Sequence, residues 1–158
     1  MLIHIKQKVS IHSKYLDHNI KTHLLNKLKE TFIGKCTFEY GYIIGINKII
    51  KVGENSIAPA NSLVIFDLIY EAEVLKPEIG QVLSGKVCMV FQHGIFVEIQ
   101  DKMKVLIPVT SIPSYRFEEN RYVNDNDDEI SLGNELLIVI VMIKYEKKAF
   151  NCIGKIQN

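Results

Sequence analysis

The segment Gly80-Gln-Val-Leu-Ser-Gly85-Lys86-Val87 has the spacing of a loop that cradles phosphates with backbone amides and a lysine. Such a loop needs a Ser or Thr after the lysine to hold a metal ion, and a helix N-terminus aimed at the phosphate. Val87 stands where the hydroxyl is required, and the residues beyond it read as a strand. The pattern therefore speaks against nucleotide hydrolysis, and the two glycines read as relief for a bending barrel strand. Asp125-Asn126-Asp127-Asp128-Glu129 has the composition of a calcium loop, but Ile130 and Leu136 occupy the places of the required Gly and Glu. A solvated acidic loop is expected instead. His12, His18 and His23 fall close together without the helix spacing of a paired metal site, so surface or boundary positions are expected for them. No nucleophile elbow, Ser-His-Asp grouping or Cys-His metal spacing is present, so the reading is of a non-enzyme with no cofactor and no metal.

What remains suits binding. The whole chain carries 19 basic and 18 acidic side chains, a formal charge of +1, which excludes a strongly basic nucleic-acid coat and an acidic tail protein. The balance hides an asymmetry. Within residues 79–158 the segment 117–135 holds seven acids and one base, whereas the remainder has eight bases and three acids. Lys86, Lys102, Lys104, Lys144, Lys147 and Lys148 supply most of that excess, and Phe91, His93 and Phe96 lie among them. Lysines that attract phosphates, interleaved with rings on which bases stack, are the ingredients of a single-stranded nucleic-acid surface. Solubilising lysines around core phenylalanines would have the same composition.

These residues need a scaffold, and the hydropathy pattern supplies one. Residues 2–11 alternate as a strand does. Leu16, Ile20, Leu24, Leu28 and Phe32 then recur every fourth residue, predicting an amphipathic helix over 17–32 with Asp17 or Asn19 as its cap and Gly34 ending it. Strand patterns follow at 35–40 and 42–50. A polar loop carrying Gly53, Asn55, Pro59 and Asn61 comes next, and then a long strand over 63–75. Pro77 and Gly80 interrupt the pattern and mark a domain boundary, giving domains 1–78 and 79–158. The second domain reads as five short strands (80–91, 94–99, 102–107, 135–144 and 149–156), which fits a small closed barrel of the OB type. Its irregular excursion falls at 108–134. The fold class is thus α+β: a mixed αβ domain with one helix on an antiparallel sheet, then a five-stranded OB-fold barrel.

Cys36, Cys88 and Cys152 are odd in number and far apart, so a reducing compartment and buried packing are expected for all three. The longest apolar run, Leu136 to Ile143, is too short to span a bilayer and reads as a barrel strand. Because both of its faces are apolar, something must cover the outer one, either the first domain or another chain. A soluble protein that works as a subunit, away from membranes, is the expectation.

In order along the chain stand Gly34-Lys-Cys-Thr, Tyr40-Gly-Tyr-Ile-Ile, Tyr70-Glu-Ala-Glu-Val-Leu-Lys-Pro77, His93-Gly-Ile-Phe-Val-Glu-Ile99, Ser111-Ile-Pro-Ser114 and Phe150-Asn-Cys-Ile-Gly154. With a mixed domain followed by a barrel, these words make the chain resemble the stalk subunits of DNA-directed RNA polymerases: the seventh subunit of eukaryotic polymerase II and the archaeal E-prime subunit. Ser-Ile-Pro-Ser looks more like the polymerase II branch. The resemblance implies a non-catalytic subunit with an N-terminal tip domain docking on the polymerase core and a barrel of the ribosomal-protein-S-one type. It implies three partners: core subunits, a small helical stalk partner of the fourth-subunit or archaeal F type, and nascent single-stranded RNA. By position, Val52, Gly53, Glu54, Asn55 and Pro59 correspond to the tip that enters the core.

In RNA-binding barrels of this class an aromatic stands before the Gly of the second strand, where this chain has His93; a His near the end of the third strand is replaced by Pro108, and a basic residue starting the last by Ala149. Phe96 is retained. The resemblance thus implies sequence-tolerant, salt-sensitive RNA contact. The residues themselves leave open a free-standing RNA-binding factor of translation or RNA decay, and a purely structural adaptor. Seventeen lysines against two arginines, with 24 isoleucines, indicate an A+T-rich coding source. A cellular eukaryotic protein would be nuclear, and a viral one would act in the host cytoplasm or nucleus or in the virion.

Overall fold

The computed structural model describes residues 1–58 and 62–157, and it divides into two compact units, Met1–Lys76 and one from Pro77 to the C-terminus. The first unit is a four-stranded antiparallel sheet in the order β1-β4-β3-β2, with one helix on one face. Strand β1 (Leu2–His12) pairs with β4 (Leu63–Leu75) over eleven positions, from Leu2 opposite Glu73 to His12 opposite Leu63. On the central strand β4, Val64, Phe66, Leu68, Tyr70, Ala72 and Val74 point alternately inward and are buried. Helix α1 (Ile20–Phe32) lays Leu24 and Leu28, both without exposed surface, onto that face. Phe32 stacks beside Tyr70, with ring centroids 6.5 Å apart.

The helix starts three residues later than its apolar period suggests. Asp17 does not cap it; its carboxylate accepts the Asn19 N–H at 2.8 Å and so shapes the turn before the helix. That bond, helped by His23, holds the Asp17 carboxyl below its ordinary value.

Two readings of this unit are corrected. The strand expected over 35–40 shrinks to β2 (Cys36–Thr37), and the polar loop expected after Ile50 is strand: β3 runs unbroken from Gly41 to Ala58. The partner decides the outcome. Thirteen residues of β4 offer hydrogen bonds along their whole length, and β3 keeps pairing by absorbing surplus residues in irregularities at Ile43/Gly45, Ile46/Lys48, Ile49/Lys51 and Val52/Asn55.

The second unit is a closed barrel in the order β11-β12-β7-β6-β5. It consists of β5 (Val82–Phe91), β6 (Gly94–Ile99), β7 (Met103–Pro108), β11 (Glu135–Glu146) and β12 (Ala149–Ile156), with β12 parallel to β7 at the closure. Val87, Ile95, Val97, Ile99, Met103, Val105, Ile107, Ile138, Ile140, Phe150 and Cys152 are its buried apolar side chains. Gly85 answers the phosphate-loop question: a Cβ there would stand 2.3 Å from Val97 Cγ1 and 2.5 Å from Ile99 Cδ1, so the glycine leaves room for those side chains in the barrel interior.

The excursion between β7 and β11 is ordered rather than irregular. Strands β8 (Tyr115–Glu118), β9 (Arg121–Asn124) and β10 (Glu129–Ile130) form a small sheet of their own. The acidic loop inside it is shaped by Asn124, whose side-chain oxygen accepts the Asn126 and Asp128 amides at 3.0 and 2.8 Å.

On β11, Ile138 and Ile140 face the barrel interior, and a bulge between Ile140 and Met142 turns Val141 and Met142 both outward. Leu137 and Met142 keep 54% and 58% of their surface. Cys36 and Cys152 are buried, but Cys88 is exposed, which corrects the expectation for all three cysteines. Gly85 and Val87 face the interior on β5, so the alternation of the strand turns Cys88 outward.

Candidate nucleic-acid interface

The β5–β6 turn carries Phe91, Gln92, His93 and Gly94. Gly94 has φ +151, and a Cβ on it would meet the Ile107 carbonyl oxygen at 2.3 Å, so no other residue fits. The close approach brings Phe91 and Phe96 together. Their rings are parallel to within 12° with centroids 5.6 Å apart, and His93 meets Phe91 edge-on at 6.1 Å. Both phenylalanines are half-buried and His93 is exposed. This is a platform with an accessible face, not a core cluster.

Register extends the platform across the barrel. Phe96 lies opposite Leu106, Leu106 beside Ile153, and Ile153 opposite Met142, giving an apolar row over β6, β7, β12 and β11. Two residues along, about 6.6 Å away at ordinary strand rise, runs a polar row of Glu98, Lys104, Asn151 and Lys144. The two rows enclose a groove of about 500 Å³ lined by Phe96, Lys104, Leu106, Met142, Lys144 and Asn151 among others. Apolar floor and cationic wall therefore come from neighbouring positions on the same strands. Sequence reading missed Leu106, Met142 and Ile153, because their outward direction depends on registers and on the bulge in β11.

The other lysines are not part of that groove. Lys86 sits opposite Glu98 on one side and Glu135 on the other, so its charge is locally matched. Lys102 lies in the β6–β7 turn after Asp101. Lys147 and Lys148 form the exposed β11–β12 turn, with φ of 53° and 59°. Because β12 runs parallel to β7, that turn lies at the barrel end opposite the aromatic turn. The structure thus distributes these residues over an aromatic end, a groove with Lys104 and Lys144, and a lysine turn beyond. Lys144 shares its charge with Glu146 at 3.1 Å.

In the first unit Val52, Gly53, Glu54 and Asn55 lie on β3 at its last irregularity, not in a loop. Val52 packs partly into the sheet core, while Glu54 and Asn55 are exposed. Pro59 lies outside the described residues. Ile57, which sequence reading passed over, is 72% exposed close to the end of the β3–β4 hairpin. His23 pairs with Asp17 at 3.3 Å and His12 accepts the Lys14 amide through Nδ1, so both serve local structure. Among the described residues no three His, Cys, Asp or Glu side chains are grouped to hold a metal ion, and no helix is long and apolar enough to cross a membrane.

Comparison with known proteins agrees with this layout. Residues 6–86 match the SHS2 domain found in the N terminus of Rpb7p/Rpc25p/MJ0397, and residues 76–153 match the S1 RNA binding domain. The RNA polymerase II subunit RPB7 of Glycine max is 24% identical over 165 residues, spanning 100% of this chain and 93% of that one. The RPB7 of Saccharomyces cerevisiae is 25% identical over 152 residues, covering 95% of this chain and 85% of its own. Among solved structures, Mycoplasma genitalium RNase R in complex with ribose methylated single-stranded RNA is similar over 50% of this chain and 13% of its own, with 22% identity and a TM-score of 0.43. An SHS2 sheet followed by an S1-type OB barrel, matched end to end by polymerase subunits, places the chain in the Rpb7-like family of non-catalytic RNA polymerase stalk subunits.

Proposed function

We propose that this protein joins a DNA-directed RNA polymerase inside the cell and holds emerging single-stranded RNA on its barrel. In this reading residues 1–78 dock on the core subunits through the β3–β4 hairpin, with Glu54, Asn55 and Ile57 at its exposed surface. Residues 79–158 hold the transcript. A small helical partner subunit completes the stalk and covers Leu137 and Val141.

The observation that carries the RNA contact is the stacked Phe91–Phe96 pair opening onto a groove walled by Lys104 and Lys144. Rings stack on bases without regard to sequence, and the lysines meet the phosphates that follow. The assembly role rests on the RPB7 relatives, which the chain matches over nearly their whole length.

A tagged pull-down read by mass spectrometry tests assembly, and crosslinking to nascent transcript tests contact. Large polymerase subunits should co-elute with the chain. A purified protein that recovers no polymerase subunit refutes the stalk role, and crosslinking unchanged by Phe96→Ala refutes the RNA role while leaving assembly intact.

A further inference from the structure

Tyr122, on the small sheet inserted between β7 and β11, is fully buried. Its hydroxyl donates to the Phe91 carbonyl oxygen at 2.6 Å and reaches that of Gln92 at 3.1 Å. Gly94 itself is paired with Pro108 of β7. From the other side the Val109 N–H donates to the His93 carbonyl at 2.9 Å. All four residues of the β5–β6 turn are therefore tied to groups outside the turn. Filling space does not explain the hydroxyl, since a phenylalanine would fill it as well. A buried hydroxyl is costly unless paired, and this one is paired to the backbone that carries the aromatic platform.

We propose that Tyr122 is a positioning residue for RNA binding: its hydroxyl fixes the β5–β6 turn so that Phe91, His93 and Phe96 stand ready to stack on unpaired bases. The inference rests on the RNA reading above and adds to it the residue that sets the platform. Without the bond, the turn must be ordered when RNA binds rather than when the chain folds, and affinity falls by that cost. Phe117 packs against the Tyr122 ring at 5.5 Å, so the ring keeps its place when the hydroxyl is removed.

The test compares wild-type full chain with Tyr122→Phe, using a fluorescent single-stranded oligouridylate and, in parallel, NMR of the His93 and Phe96 ring signals. Tyr122→Phe is expected to bind the oligomer about 3- to 10-fold more weakly, with both ring signals shifted. In a Phe96→Ala background the same substitution should cost much less, because its effect passes through the platform. Affinity unchanged by Tyr122→Phe, or a full additional loss in the Phe96→Ala background, overturns the proposal. If wild type binds no oligomer, the RNA reading itself fails, and ring signals unmoved by Tyr122→Phe then refute the positioning role on their own.

Discussion

In the proposed reading, the two turns at opposite ends of the barrel meet RNA in different ways. The β5–β6 turn is short, holds a glycine that nothing can replace, and is tied by Tyr122 and Val109. The β11–β12 turn consists of Lys147 and Lys148, both exposed and both in the left-handed backbone region. On that reading, shape is fixed where rings stack on bases, because stacking fails when a ring is displaced. Charge needs no such precision, since attraction to phosphate falls gradually with distance and follows the ionic strength. One end therefore supplies geometry and the other supplies field.

The sharpest way to break this contrast is at Gly94. Gly94→Ala forces a Cβ onto the Ile107 carbonyl and should destabilise the chain by about 3 kcal/mol, read as a lowered midpoint in urea; an unchanged midpoint would mean that the turn yields easily and is not a fixed platform. Next comes Phe96→Ala, which should cost about 1–3 kcal/mol of RNA affinity through lost stacking. That cost should be nearly the same in low and high salt, and a strongly salt-dependent loss would place Phe96 among the electrostatic contributors instead. The smallest effect belongs to the lysine turn. Lys147→Gln with Lys148→Gln should flatten the dependence of log affinity on log salt by about 1.4, the counterion release of two single-strand phosphate contacts. Lys86→Gln, whose charge faces Glu98 and Glu135, serves as the control and should leave the slope alone.

How far the sequence was readable also differs between the regions. The barrel strands fell close to where alternation put them, because each is bounded by turn residues and buries one face. The first sheet was harder. A polar stretch such as Glu54-Asn55-Ser56 has no strand signal of its own and becomes strand because β4 lies alongside it. At the candidate site, the types were visible and the grouping was not. Phe96 and His93 could be named from their place beside Gly94, but Lys104, Met142 and Ile153 join them only through registers that span three strand pairings. Tyr122 was hidden for a similar reason: the carbonyls it holds lie 31 and 30 positions earlier in the chain.

The four-stranded sheet has a consequence for solubility. Beyond Cys36 and Thr37, where β2 covers it, no further strand among the described residues pairs with the outer edge of β3. A long bare edge of this kind invites another molecule to add a strand and seed insoluble stacks. Its repeated irregularities, with Lys48 and Lys51 placed among them, spoil the flat ladder such stacking would require. Straightening β3 by deleting a surplus residue would then stiffen the hairpin and, by the same act, make the protein prone to precipitate.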